Sequence, residues 1–291
     1  MAFGPAEALS TCLEALGGAY PCTVVDNASD EEARDVCRRL GVRYIDPGTN
    51  AGFASGANRG FMELPLPDCD VLLLNPDAVV QVAAIERLRE LLHRDPSLAC
   101  VAPAQHGPDS ERLDPVHRPF PTPFGACADC IGLGRFRRRN FVVGSVLLFN
   151  GSALVDVGGF DERFFLYAEE TDWQLRATRR GWRIRYCPEA LAVHAKGGTD
   201  ADLRRRELRW NAGAERYIRK WYGPVGWHVY SGAGILGSLV RAVLLRGDRR
   251  RLAAGRAQLL LRGPERSAQR AGVLAPPRTR IPALPMKPGN T

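Results

Sequence analysis

The first hundred residues alternate short apolar runs with amphipathic stretches, and this alternation restricts the fold more than any other feature of the chain. Residues 23–26, 42–45, 71–74 and 98–102 have the composition of buried strands, and residues 31–40, 53–63 and 82–93 between them have helical spacing. Short runs that are apolar throughout are strands buried on both faces, so the pattern predicts an α/β fold, a mostly parallel sheet with helices on both faces. Ahead of it, Leu9, Cys12, Leu13 and Leu16 recur at helical spacing and give an opening helix one apolar face. Further on, residues 141–149 are expected as a buried strand, 152–157 as a short helix, 169–180 as a longer helix and 182–186 as a strand.

The charge divides the chain. Residues 1–200 hold 21 Lys/Arg against 27 Asp/Glu, and the remainder 19 against 5, so a net charge of −6 is followed by +14. The expected organisation is a globular domain over 1–200, a basic helical region over 201–262 and, over 263–291, a Pro/Arg-rich tail too poor in apolar residues to fold alone. Residues 225–245 are apolar but broken by His228 and Arg241, leaving less than the roughly 20 residues of a spanning helix. Flanked by arginines, this region reads either as helices lying on an anionic membrane surface or as a helical subdomain with a solvated basic face. No nucleic-acid motif accompanies the charge, so no nucleic-acid partner is expected. The eight cysteines are scattered, with a lone CxxC at Cys127 and Cys130 and no second ligand pair for zinc, so reduced thiols are expected. No signal peptide is read at the start, so a cytoplasmic chain is expected.

Ligands of open α/β sheets bind beyond the carboxyl ends of the strands, and three such loops carry polar residues. In "VVDNASDEE" Ser29 and Glu32 have the spacing of a capping box, and Asp26 is either a ligand-facing carboxylate or the acceptor of a turn. In "NAGFASGANRG", residues 50–60, the glycines permit close approach of backbone to a ligand or of helix to strand; the loop is neither a P-loop nor a dinucleotide turn. In "LLLNPDA" Pro76 ends the strand and leaves Asp77 in a turn, an oxygen donor suited to Mg2+ or Mn2+.

Together with "VGGFDERFFLYAEETDWQLRATRRGWRIRYCP" and "AVHAKGG", these loops, in this order and spacing, closely resemble the family 2 glycosyltransferases with a GT-A fold, a Rossmann-like nucleotide-diphospho-sugar transferase architecture, and especially their rhamnosyltransferase-like branch. The resemblance spans residues 9–198 and implies an enzyme. It implies inverting transfer from a nucleotide-sugar, dTDP-rhamnose first and UDP-galactofuranose next, to a cell-envelope glycan or polyprenyl-linked acceptor. By it, Asp26, Asn27, Asn50, Gly52, Phe53, Gly56, Asn58 and Asn75 line the nucleotide-sugar site. Asp77 and His194 hold Mg2+ or Mn2+, with Asn75 standing where the metal motif usually has an acid. Association with the inner face of the cell membrane is implied for the basic region.

Inverting transfer needs one general base and a means of stabilising the leaving diphosphate. The resemblance assigns the base to Glu170, where the family usually has Asp, with Asp172 in reserve. Phe165 and Tyr167 beside Glu170 should raise its pKa by desolvation. Asp172 has the i,i+4 spacing to pair with Arg176 instead, and Glu162 and Arg163 are expected to orient the loop. The family opens with an apolar strand and a polar turn that line the nucleotide pocket. This sequence begins "MAFGPAEALSTCLEAL" at the following helix, so weakened nucleotide binding and an exposed edge on the 23–26 strand are expected. A noncatalytic sugar-nucleotide-binding relative is the alternative. A nucleotidyltransferase is disfavoured, because its Gly-rich loop is absent.

Overall fold

The computed structural model describes residues 1–195, 202–274 and 281–284. The chain opens with α1 (Ala6–Leu16), then alternates β1 (Thr23–Val25), α2 (Glu31–Arg39), β2 (Arg43–Ile45), α3 (Phe53–Phe61), β3 (Val71–Leu74), β4 (Ala78–Val80), α4 (Val82–Arg94) and β5 (Leu98–His106). It continues through β6 (His117–Arg118), α5 (Pro123–Cys130), a 3-10 turn (Leu133–Phe136), β7 (Phe141–Val142), β8 (Val146–Phe149), α6 (Gly151–Val157), α7 (Glu169–Arg179) and β9 (Arg183–His194). The helices α8 (Leu203–Leu244), α9 (Gly247–Arg262) and α10 (Pro264–Arg270) follow. The α/β class and the C-terminal helices are as expected.

The strand directions need correction. β1 and β2 pair in parallel, but in the five-stranded sheet, ordered β3-β8-β5-β9-β4, only β5–β9 is parallel and the other three pairings are antiparallel. The sheet is therefore mixed rather than mostly parallel. Segment 107–145 after β5 provides no crossover to the opposite end of the sheet, so β8 starts where β5 ends and runs back between β5 and β3. The sheet is also curled. Residues 75–77 reach about 14 Å between β3 and β4, whereas four flat strand spacings measure about 19 Å. Curling brings the end of β9, paired to β4 through Ala78 and His194, round to the end of β3.

The expected strand over 141–149 is two strands, with residues 143–145 as a turn. Gly144 lies in this turn, where a Cβ would lie 2.9 Å from Glu170 Cγ. The expected capping box is also absent: Asp30 caps α2, accepting from the Glu32 amide at 3.0 Å, while Ser29, at φ 54°, donates to Asp46 instead. Asp26 causes this one-residue shift, since its Oδ2 accepts from the Asp30 amide at 2.8 Å.

The core that holds α7 is aromatic. Trp173 on α7 is fully buried, meets Phe149 edge-on at a centroid distance of 4.8 Å and donates its indole N–H to the Gly158 carbonyl. Gln174 on the same helix clamps β7, accepting from the Val142 amide and donating to its carbonyl. α7 enters through two left-handed residues, Tyr167 at φ 70° and Ala168 at φ 73°. A non-glycine residue in that region costs about 1–2 kcal/mol, against an entropic cost of about 0.5–1 kcal/mol for glycine. Ala168→Gly is therefore expected to stabilise the fold by up to about 1 kcal/mol. Urea unfolding checks this, and a lowered midpoint would contradict it.

α8 is bent at Gly223, whose φ of 67° interrupts the helix before Pro224. Before the bend it packs on the domain through Tyr217, Ile218 and Phe164, and Lys220 lies within 2.7 Å of Asp161 and 2.6 Å of Asp172. The helical region is thus docked on the core. No helix of the described residues is long and apolar enough to cross a membrane. The reading of 263–291 as an unstructured tail is corrected for its described residues. Residues 264–270 form α10, with Ala268 buried against α8, and Leu284 inserts into the main core, where the Gly159 amide donates to the Pro282 carbonyl. These few apolar side chains are buried by the rest of the protein rather than by one another. The end of the "AVHAKGG" motif, the boundary at residue 200 and tail positions 275–280 and 285–291 lie outside the described residues.

Among the described residues, only Met1 and Ala2 stand between β1 and β3. Ala2 bridges Asp26 in parallel, and the Met1 amino group donates to the Leu74 carbonyl at 3.2 Å. The rest of this interval is a cavity of about 920 Å3, lined by Leu9, Leu13, Val24, Phe61 and Leu72 among others.

Candidate functional site

Three loops converge at the carboxyl ends of β1 and β3, each for a local reason. Asp26, almost fully buried, spends both carboxylate oxygens within the chain: Oδ1 accepts from the Ala28 amide, and Oδ2 from the Asp30 amide and the Tyr44 hydroxyl. Its side chain shapes the turn. Asn27 donates to the Gly52 carbonyl at 2.9 Å and faces Asn50, whose Oδ1 accepts from the Gly52 amide.

Gly52 must be glycine. Its φ is 93° and a Cβ would lie 2.3 Å from the Phe165 carbonyl oxygen, which accepts from the Phe53 amide. Loop 50–53 thereby grips the loop before α7. Asn58 grips the same segment from α3, accepting from the Phe160 amide at 2.7 Å and donating to the Phe160 carbonyl and to Glu162. Gly56 packs against Asn27 and Met1. The residues 26–58 named from the sequence are brought together, and most of their polar atoms serve the wall of the site.

At the end of β3 the Asn75 amide donates to the Ser145 carbonyl, while Asn75 Oδ1 is buried without a hydrogen-bond partner among the described residues. Asp77 is buried, and its Oδ1 lies 3.3 Å from His194 Nε2, a juxtaposition made by the β4–β9 pairing. Among the described residues no group of three or more His, Cys, Asp or Glu side chains could hold a metal ion. A carboxylate and an imidazole at this spacing, beside an orphaned amide oxygen, nevertheless suit a hard divalent cation that takes its other ligands from water and phosphate. All eight cysteines are free thiols, as expected.

One residue before Ser145, Gly144 abuts Glu170. Turn 143–145 therefore touches both the Asn75–Asp77 loop and the first turn of α7. Glu169 and Glu170 each have a buried Oε2 without a hydrogen-bond partner among the described residues. Burial pushes the Glu169 carboxyl well above its ordinary range, and the neighbouring Glu170 charge pushes it further. Burial also raises Glu170, but the amides of Glu170, Thr171 and Gly144 and the charge of Arg118 work against the rise. Glu169 is thus the more strongly raised of the pair, because Glu170 keeps amide and Arg118 partners that favour its charged form.

Glu170 lines a cavity of about 400 Å3 together with Tyr167, Trp210, Tyr217 and Arg118. Asp172 does not line it: fully buried, it is held by Arg176 at 3.0 Å, Lys220 at 2.6 Å and the Trp221 indole at 2.9 Å. Asp161 is held by Arg163 and Lys220; burial would raise its pKa, but these cations hold it well below the ordinary carboxylate range.

The sequence profile described as glycosyl transferase family group 2 matches residues 71–259. The chain belongs to this family. Two curated relatives agree. The glycosyltransferase is 28% identical over 266 residues to the N-acetylglucosaminyl-diphospho-decaprenol L-rhamnosyltransferase of Mycobacterium tuberculosis, an alignment covering 79% of this chain and 86% of the relative. It is 29% identical over 201 residues to a low-salt glycan biosynthesis hexosyltransferase of Haloferax volcanii, covering 65% of this chain and 63% of that one. Among solved structures, a mannosyltransferase from Pyrobaculum calidifontis, in complex with GDP-Man and Mn2+, superposes with a TM-score of 0.56 at 15% identity, covering 94% of this chain and 82% of that one. This likeness shows the GT-A fold.

Sequence reasoning missed Arg118, Gly144, Trp210 and Tyr217 as parts of the site. Gly144 carried a signal, a glycine breaking an apolar strand run, which marks close approach of another group. The others carried none, because only the folded α8 and β6 bring them to Glu170.

Proposed function

We propose that the glycosyltransferase moves a sugar from a nucleotide-sugar to a hydroxyl of a lipid-linked or cell-envelope glycan, with inversion at the anomeric carbon. The observation that carries this reading is Glu170: a half-buried residue whose carboxylate Oε2 is buried without a hydrogen-bond partner among the described residues, lining a cavity and separated from the Asn75–Asp77 loop by turn 143–145. An acceptor hydroxyl bound in the cavity attacks the anomeric carbon, Glu170 Oε2 takes its proton, and the bond to the nucleoside diphosphate breaks in the same displacement. Asp77 and His194 would hold Mg2+ or Mn2+, and the cation supplies charge neutralisation for the leaving diphosphate. Asp26, Asn27 and Asn58 position the nucleotide-site wall, and Asn50, Gly52 and Phe53 present its inner edge.

The Mycobacterium tuberculosis relative's name, an L-rhamnosyltransferase acting on a diphospho-decaprenol acceptor, supports dTDP-rhamnose as the first donor to test and a polyprenyl-linked acceptor. The Mn2+ in the Pyrobaculum calidifontis complex supports a divalent cation. The test is hydrolysis or transfer across a panel of nucleotide-sugars with Mg2+ or Mn2+. Turnover of dTDP-rhamnose, abolished by chelator, is expected. For Asp77→Ala, loss of one carboxylate ligand should raise the cation concentration for half-maximal activity at least about tenfold. Undiminished turnover in excess chelator would remove the cation from the account.

A further inference from the structure

Beyond the bend at Gly223, the two sides of α8 are the reverse of those of an ordinary surface helix. The side that faces the protein is built of small residues: a Cβ on Gly234 would come 2.9 Å from Leu260 of α9, and one on Gly237 3.5 Å from Cys130 Sγ of α5. Ser231 and Ser238 are buried on this side. The opposite side is apolar and open. Val225, Val229, Leu236, Leu239, Val240 and Val243 are between 40% and 83% exposed, and at about 100° per residue all six fall within one stripe about 100° wide and about 27 Å long.

No full charge interrupts the stripe. Between Lys220 and Arg246 the sequence has a single Lys, Arg, Asp or Glu, Arg241, which lies beside Gly237 on the side towards the protein, and His228 stands at the edge of the stripe. A surface helix normally turns charged residues to water here. An open apolar face of this extent marks contact with a partner, and the charge around it selects the kind.

Arg246, Arg249, Arg250 and Arg251, all exposed, follow directly on the stripe. Asp248 pairs with Arg251 at 3.6 Å, and the other three form no salt bridge among the described residues. A second copy of the chain is a poor fit, because residues 201–291 hold 19 Lys/Arg against 5 Asp/Glu and two such faces would bring like charges together. A spanning helix is a poor fit as well. No helix of the described residues is long and apolar enough to cross a membrane, and α5 and α9 already cover the glycine-lined side of α8.

We propose that the stripe on the outer half of α8, with the arginines at its end, lies on the surface of a bilayer that contains anionic phospholipids. Acyl chains cover the stripe, and lipid phosphates take the guanidinium groups of Arg246, Arg249 and Arg250. The half of α8 before the bend contributes Trp210, Ala214 and Tyr217 to the wall of the Glu170 cavity. Tyr217 is eight residues from Val225, about 12 Å of helix, so docking of the outer half sets that cavity beside the lipid surface. Lipid docking does not depend on the role of Glu170.

Cosedimentation of the full chain with vesicles tests this, phosphatidylcholine alone against an equal mixture with phosphatidylglycerol, at low and high salt. At low salt the mixed vesicles should bind at least about tenfold more tightly than phosphatidylcholine, and added salt should weaken that binding. Leu236→Glu with Val240→Glu on the stripe, and separately Arg249→Gln with Arg250→Gln, should each weaken it at least about tenfold. Leu203→Glu, 66% exposed at the other end of α8, is the control and should leave binding unchanged. All the substituted side chains are exposed, so the variants should fold, which circular dichroism checks; if the stripe variant did not, the arginine variant decides. Equal binding to the two kinds of vesicle, full binding by the folded stripe variant or by the arginine variant, or equal weakening by the control would overturn the assignment. So would a dimer in sedimentation velocity that the stripe variant dissociates, since the face would then belong to a second copy.

Discussion

Glu170→Gln is expected to slow sugar transfer by roughly 10² to 10⁴, the contribution of a positioned general base, while donor binding is retained. The amide has the shape of the carboxylate and still offers an oxygen to the Gly144 and Thr171 amides, so α7 should not move. What it lacks is the capacity to take the acceptor proton. Asp172→Asn, by contrast, disturbs the contacts to Arg176, Lys220 and Trp221 and should register in stability. Steady-state kinetics with both variants separates the two roles. If Glu170→Gln retained activity and Asp172→Asn lost it, the base would have to be moved to Asp172.

The second large effect concerns the docking of α8. Lys220→Met removes the ammonium shared by Asp161 and Asp172, both fully buried. Breaking a buried ion pair by removing one partner costs about 3–5 kcal/mol. Arg163 and Arg176 remain beside the two carboxylates, so the lower end, about 3 kcal/mol, is expected from urea unfolding. The pH dependence follows from Asp161. Its folded pKa lies below the ordinary value of 3.8, so its stabilisation is complete above that value and drains away as pH falls below it. The variant should lose much of this acid-side dependence. A loss smaller than about 1 kcal/mol, as for a surface pair, would mean that Lys220 does not anchor the helix.

The elements that were legible in the sequence are those whose pattern is local. The β/α alternation located every helix and strand of the first hundred residues except β4, which is three residues long and directly follows β3 across the Pro76 turn. Strand direction was not legible, because it depends on the route of residues 107–145 rather than on their composition. The resemblance named Glu170 in the "EET" stretch as the base, but nothing in the sequence showed how its surroundings divide it from Glu169. That division depends on Gly144 and Arg118, which lie 26 and 52 residues away from Glu170 in the chain. Asn58 and Asp26 show the opposite failure: polar residues at strand ends whose hydrogen-bonding capacity the fold itself consumes. The arginines that line the cavity at Glu170 lie in a part of the chain with a net charge of −6 and gave no sign in the sequence until β6, the 3-10 turn and α8 closed around Glu170.

The central claim is that Glu170, half-buried with its Oε2 out of solvent and its pKa raised above the ordinary carboxylate value, takes the acceptor proton. The pH dependence of kcat/KM for transfer tests it most directly. Burial raises the Glu170 pKa above 4.5, so activity should rise with pH along an acid limb whose midpoint lies above that value. That limb should vanish from the residual activity of Glu170→Gln. A limb that persists unchanged in Glu170→Gln would contradict the account.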